Sequence, residues 1–256
     1  MNSLTRFSMR LLRFTGFTLL EYLRSGRVAI EIIATLAVYF VFLRRPMDAP
    51  YFFSTLGIFT PVLALYTTAI IIGLGDRPQS YVSLAHGIGR GTYLLGLFFS
   101  ACAIVMGAYG LLSLGVALLN PPVDMNLGDW LLGTLPLLLN IGLLVALMLL
   151  LSPLVLSTGW RLLVLGLIAL AFSSNFIGGV MLEAMPESGR ALLRAVQALV
   201  GGPLVPAFYG FQLAVTRDYS TPTAFANLLA QASLLASLLG LSVYALSRRD
   251  VIFSSQ

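Results

Sequence analysis

Apolar residues along this chain come in long runs separated by short polar breaks. Six of the runs approach the roughly 20 residues that a helix needs to cross a bilayer core. They predict spans at about Val28–Leu43, Tyr51–Leu74, Thr92–Leu119, Trp130–Leu151, Arg161–Leu182 and Thr223–Leu246. The first is short, with Arg27 and Arg44 placed to snorkel from its two ends. Runs such as LLVALMLLL at 143–151 do not alternate, so the pattern is not that of a membrane β-barrel. Water is absent from the bilayer core, and a helix satisfies its backbone hydrogen bonds within a single segment. The pattern therefore predicts an all-α membrane protein with six transmembrane helices.

Two stretches outside the spans carry their own pattern. At the start, Arg6, Arg10, Arg13 and Arg24 share one helical face, and Leu4, Phe7, Leu11 and Phe14 lie opposite. This predicts an amphipathic helix over residues 1–27 lying in the headgroup layer. Arginines recurring over more than twenty residues argue against a cleavable signal peptide. Between Glu183 and Pro222, ALLRAVQALV has helical spacing and GGPLVPAFYGFQLAV is apolar but broken by glycine and proline. Such backbone is tolerated at membrane depth only where protein or a water-filled cavity covers it. One or two re-entrant or interfacial helices are therefore expected before the last span. The whole chain, 1–256, reads as one transmembrane domain, with the spans over 28–246 and a tail over 247–256.

Composition narrows the function. Hydrophobic residues make up 58% of the chain and charged residues 10%, against about 25% charged in a soluble domain. Mean hydropathy is +0.93. All 15 basic residues are arginine, so a P-loop lysine is missing and the chain holds no ordinary nucleotide-hydrolysing motif. The glycines of HGIGRGT at 86–92 follow no strand and precede no lysine, and they read as a tight turn. Cys102 and His86 are each the sole residue of their type, which excludes an intrachain disulfide, a thiolate cluster and two-histidine haem ligation. No catalytic triad or paired intramembrane carboxylate emerges, so no enzyme, cofactor or metal is expected.

Arginine placement sets the orientation. With the N-terminus in the cytoplasm, Arg6, Arg10, Arg13, Arg24, Arg27, Arg77, Arg90, Arg161, Arg248 and Arg249 lie inside, and Arg44, Arg45, Arg190, Arg194 and Arg217 outside. Six spans return the C-terminus to the same side, as expected of a bacterial inner-membrane protein. Trp130 and Trp160 flank the fourth span and fit opposite interfaces.

Polar groups within the runs are the candidate chemistry. Glu31, about one turn into the first span, is expected to pair with Arg24, Arg27 or a neighbouring helix, or else to serve a partner contact or polar lining. Asn140, Ser173, Ser174 and Asn175 read as hydrogen bonds across helices. Gly107, Gly110 and Gly115, with Gly178 and Gly179, are expected to permit close helix approach. Pro61, Pro136 and Pro153 are expected to kink or end helices.

These parts together resemble the permease subunit of a type-2 ABC transporter. The segment MRLLRFTGFTLLEYLRSGR at 9–27 matches the family's connecting helix before its first span. DRPQSYVSLAHGIGRGTYLLGLFFS at 76–100 matches its cytoplasmic coupling loop, through Asp76, Leu84, the HGIG turn, Arg90 and the Tyr93-Leu94-Leu95-Gly96 start of the next span. The family's proline in that turn is a glycine here, and its Gly-Thr pair is absent. LSRRDVIF at 246–253 resembles the family's basic-then-acidic end. The resemblance implies two permease subunits, identical or related, and two copies of a separate ABC ATPase subunit. It implies ATPase contact at Asp76, Tyr81, Leu84 and Arg90, with Arg13 and Glu21 adding to that surface. It also implies a translocation path between the permeases, which would draw on Thr60, Thr67, Ser173 and Asn175. Membrane lipid is a further partner, and nucleic acid is not. Two alternatives remain: a non-transporting membrane scaffold or assembly subunit of a larger complex, and an ion-driven secondary transporter, for which Glu31 is the one acid within a span.

Overall fold

The computed structural model describes residues 3–75, 88–172, 186–192, 194–195, 198 and 212–248. Among them every regular element is helical. In chain order these are α1 (Ser3–Arg24), α2 (Val28–Val38), α3 (Ala49–Gly75), α4 (Arg90–Leu119), α5 (Leu127–Leu150), α6 (Thr158–Phe172) and α7 (Pro222–Arg248). A π-helical turn, Tyr39–Leu43, prolongs α2. Four of the helices, α3, α4, α5 and α7, are long and apolar enough to cross a membrane. They fall on the second, third, fourth and sixth predicted spans. α1 and α2 are separate helices bent by 77° to each other, and Gly26 at the bend takes a φ of +72° that a side chain would disfavour. α6 covers the first part of the fifth predicted span, and residues 173–182 lie outside the described residues. Within the broken stretch before α7, 187–192 and 212–216 are helical.

Local chemistry fixes the ends of these helices. Asn126 opens α5 through a capping box: its side chain accepts from Asp129 N at 2.8 Å, and the Asp129 carboxylate accepts from Asn126 N at 3.5 Å. Pro61 and Pro136 sit inside α3 and α5, and Pro153 follows the end of α5. Asn120, just past α4, donates to Leu43 O at 3.2 Å and Arg45 O at 2.5 Å, which ties the end of α2 to the end of α4.

α4 is the central helix, in contact with α1, α2, α3, α5 and α7, and α5 packs in turn against α3 and α7. One buried cluster joins Leu63 and Ile71 of α3, Leu97 and Val105 of α4, Ile141 and Leu149 of α5, and Phe14 and Tyr22 of α1. A second lies toward the opposite end, around Phe52, Phe53, Tyr109 and Leu137. The chain thus has one end bearing α1 and the α3–α4 connection, and another bearing the α4–α5 connection.

Among the described glycines, the close approaches do not fall at the three expected on α4. A Cβ on Gly96 would collide with the Phe14 ring, and one on Gly133 with the Phe53 ring. At Gly107, Gly110 and Gly115 an added Cβ meets nothing within 4 Å. Among the described residues, those three glycines therefore seat no neighbouring helix. Gly178 and Gly179 lie outside the described residues.

α1 has three faces. Phe14, Thr18 and Tyr22 are buried, with Phe14 packed on α4. Met9, Leu12, Leu20 and Leu23 are exposed and apolar. Arg6, Arg10, Arg13 and Arg24 are exposed on the third face. The apolar set read from the sequence runs through Phe14 and so turns toward the protein, and a different set remains for an apolar environment.

Candidate functional site

The stems of the α3–α4 connection are fastened into the bundle. Tyr93 Oη, one turn into α4, donates to Gly75 O at 2.5 Å, capping the last carbonyls of α3. Arg90, the first residue of α4, reaches the C-terminus of α7: Nη1 donates to Ser247 O at 2.9 Å and to Leu246 O at 3.4 Å. A guanidinium suits this position, where free carbonyls and the negative end of the helix dipole coincide. Of the four residues assigned to ATPase contact, Arg90 is therefore engaged within the chain. Asp76, Tyr81 and Leu84 lie outside the described residues, as does His86. Arg13 is exposed and Glu21 half-buried on the same end.

Close to these stems is a buried polar group. Glu31 in the first turn of α2 is 3% exposed. Tyr22 Oη donates to its Oε1 at 2.6 Å, and Thr67 Oγ1 of α3 donates to the same oxygen. The 77° bend brings Tyr22 back over Glu31, so α1, α2 and α3 meet at one carboxyl oxygen. Glu31 thus pairs with a neighbouring helix, as one reading of the sequence had it, and its partners are hydroxyls instead of Arg24 or Arg27. The other oxygen, Oε2, has no hydrogen-bond partner among the described residues.

Glu31 lines a groove of about 560 Å³ between α2 and α4. Val28, Ile32, Leu36 and Phe40 form one wall, and Ile104, Gly107, Leu111 and Gly115 are among the residues of the other. Among the described residues, Glu31 is the one charged residue lining it. The missing side chains at Gly107 and Gly115 help to hollow it.

Of the residues assigned to a translocation path, Thr60 and Thr67 are buried inside the chain, at 1% and 0% exposure. Thr60 Oγ1 donates back to Leu56 O at 2.8 Å, and Thr67 serves Glu31. The outward face of α3 is apolar, at Ile58, Val62 and Leu65. Ser173, Ser174 and Asn175 lie outside the described residues. Asn140 makes the expected bond across helices: Gln231 Nε2 of α7 donates to its Oδ1 at 2.9 Å.

The opposite end is held by charge. Arg217 bridges two acids, with Nη1 2.6 Å from Asp124 Oδ2 and Nη2 2.9 Å from Asp129 Oδ2. Nη2 also donates to Asp124 O at 2.9 Å. Asp124 Oδ1 accepts from Ala49 N at 3.0 Å, so one carboxylate joins the start of α3 to the segment before α7. The Ala49 N–H, with Arg217 adding to it, holds the Asp124 carboxyl below the usual aspartate range. Burial, then the negative charge of Asp129, push the nearby Tyr219 phenol up to about 12. Arg217 itself has a φ of +59°, uncommon for a side-chain-bearing residue. Of these residues, sequence reading used Arg217 only as one of the outside arginines. The hint available was an arginine and two acids placed by topology on the same side.

No protein family, curated protein or solved structure matches this chain. The fold is that of a helical membrane protein: among the described residues, four helices are long and apolar enough to cross a bilayer.

Proposed function

We propose that this chain is the membrane-spanning permease subunit of an ATP-driven ABC exporter, coupling ATP hydrolysis on a separate ATPase chain to substrate translocation. In this reading α2, and α6 with the residues after it, complete six spans. The termini are cytoplasmic, the membrane is the bacterial inner membrane, and α1 lies in its inner headgroup layer. Two permease subunits enclose the path and two ATPase copies dock beneath them. Re-entrant helices fill the stretch before α7.

The observation that supports it most is the fastening of the α3–α4 connection. Gly75 is held by Tyr93, and Arg90 grips the end of α7. A force applied to the connecting segment at Asp76, Tyr81 or Leu84 would therefore reach α3, α4 and α7 together, as a coupling element requires. Arg90 acts in this scheme as the link from the loop to α7. Thr60 and Thr67 are buried in this conformation, so a path drawing on them together with Ser173 and Asn175 requires α3 to turn in another state of the cycle.

The test is a mild-detergent pull-down of the tagged chain, with mass spectrometry and an ATPase assay on the eluate. A P-loop ATPase in near-equal amount is expected, with stimulated activity lost in Leu84→Ala and Arg90→Ala. The burial of Thr60 and Thr67, with an apolar outward face on α3, favours the alternative of a non-transporting scaffold. That reading predicts a stable set of other membrane subunits and no ATPase in the same eluate.

A further inference from the structure

We propose that the groove between α2 and α4 binds a compact amphipathic amine, its apolar body lying along the two helices and its ammonium donating to Glu31 Oε2.

Several independent features support this. The groove runs beside α2 and the π-helical turn after it, from Val28 to Phe40, and along α4 from Ala103 to Leu119, a length of about 24 Å on α4 at 1.5 Å per residue. Its 560 Å³ falls within the roughly 300–1,000 Å³ usual for small-molecule sites. Its lining is apolar apart from Glu31 and a few hydroxyls, and Glu31 makes no ion pair among the described residues. Both hydroxyl donors, Tyr22 and Thr67, spend their protons on Oε1. Oε2 is left buried and unpartnered, a condition that disfavours the site until a donor arrives. An N–H donor carrying positive charge satisfies both the lone pairs and the charge complementarity, while apolar walls select for a hydrophobic body. The groove opens past the exposed side chains Ile32, Leu36 and Leu111, so a membrane-dissolved ligand can enter sideways. A diacyl lipid offers the same ammonium chemistry in a phosphatidylethanolamine headgroup. The size of the groove favours a smaller amphiphile with one apolar body.

This inference concerns binding by the isolated chain and does not depend on the permease reading. The full chain is placed in phosphatidylcholine nanodiscs and titrated with a dansyl-labelled decylammonium probe and its neutral N-acetyl counterpart. Empty discs give the partitioning background. Wild type is expected to bind the ammonium probe saturably. Glu31→Gln keeps an acceptor for Tyr22 and Thr67, and it should weaken that binding by about tenfold or more, as loss of a charge-assisted hydrogen bond implies. The neutral probe should bind both proteins alike. Gly107→Phe fills the groove from a position with open space at its Cβ, and it should remove binding of both probes even if Glu31→Gln fails to fold. Equal ammonium affinity in wild type and Glu31→Gln would overturn the assignment. So would no saturable binding above empty discs, or unaltered binding in Gly107→Phe. Displacement of the probe by phosphatidylethanolamine at membrane mole fractions would overturn it in favour of the lipid headgroup.

Discussion

Gly96→Ala tests how α1 is seated. The added Cβ would overlap the Phe14 ring, whereas carbon atoms prefer about 3.5–4.0 Å, so the ring must retreat by more than about an ångström. Phe14 is 7% exposed and lies 5.1 Å, ring centre to ring centre, from Tyr93, so retreat also disturbs that pair. Overpacking of this kind costs about 1–3 kcal/mol, and at roughly 2–4 °C per kcal/mol for a chain of this size a cost near 2 kcal/mol lowers Tm by about 4–8 °C. Cys102 supplies the assay. It is the sole cysteine, it is buried, and it belongs to the same core cluster as Phe14. A fluorogenic maleimide therefore reports opening of this region in a thermal ramp in mild detergent. The decisive variant is the double one. Gly96→Ala placed on Phe14→Ala should cost almost nothing beyond Phe14→Ala alone, giving a coupling of about 1 kcal/mol or more. If the two substitutions are additive, the Phe14–Gly96 contact does not position α1 and the reasoning is refuted.

Other outcomes follow from the same contacts. Asn140→Leu should cost about 0.6–1.7 kcal/mol, the range for hydrogen bonds between membrane helices, read as a drop in Tm by the same thiol assay. An unchanged Tm would remove the Gln231 bond from the forces docking α7. Because the Asp124 carboxyl is held below the usual range, its stabilisation is fully present above the unfolded aspartate value of about 4 and is lost as pH falls through the lower folded value. Asp124→Asn should therefore flatten the acid limb of the unfolding profile followed by Trp130 fluorescence, and an acid limb identical to wild type would contradict this. Arg90→Ala should loosen the end of α7, detected as faster hydrogen exchange over 243–248 with exchange in α5 unchanged. Equal exchange in both proteins would mean that Arg90 does not hold that end.

The positions of the long helices were legible because hydropathy alone marks them: α3, α4, α5 and α7 begin and end within about four residues of the expected spans, the usual precision of such boundaries. Their faces were not. A membrane helix is apolar on all sides, so periodicity does not separate the side facing protein from the side facing lipid. Gly96 and Gly107 lie on the same helix, and only packing tells that one receives Phe14 and the other opens onto a groove. Glu31 could be read as needing partners. That these are Tyr22 and Thr67 follows from the bend at Gly26 and from a helix 36 positions away, which local spacing does not encode. Asn140 was read as a contact across helices, but its partner Gln231 is 91 positions distant. On α1 the arginine stripe and the face through Phe14 were plain, while the second apolar face at Met9, Leu12, Leu20 and Leu23 went unread.

The last helix has a consequence for how the molecule is made. α7 is the final described helix to leave the ribosome, yet it packs against α4 and α5 and supplies partners to Asn140 and Arg90. Until it inserts, the Asn140 amide on α5 lacks its Gln231 ligand, in a setting where unmatched polar groups are costly. The nascent bundle would thus carry its own mark of incompleteness through most of synthesis, and arrival of α7 would erase it. A chain stopped after Thr221 should insert its earlier helices and yet be degraded faster than the full chain in a pulse-chase. Equal lifetimes would show that this exposed chemistry goes unread by the cell's proteolytic surveillance.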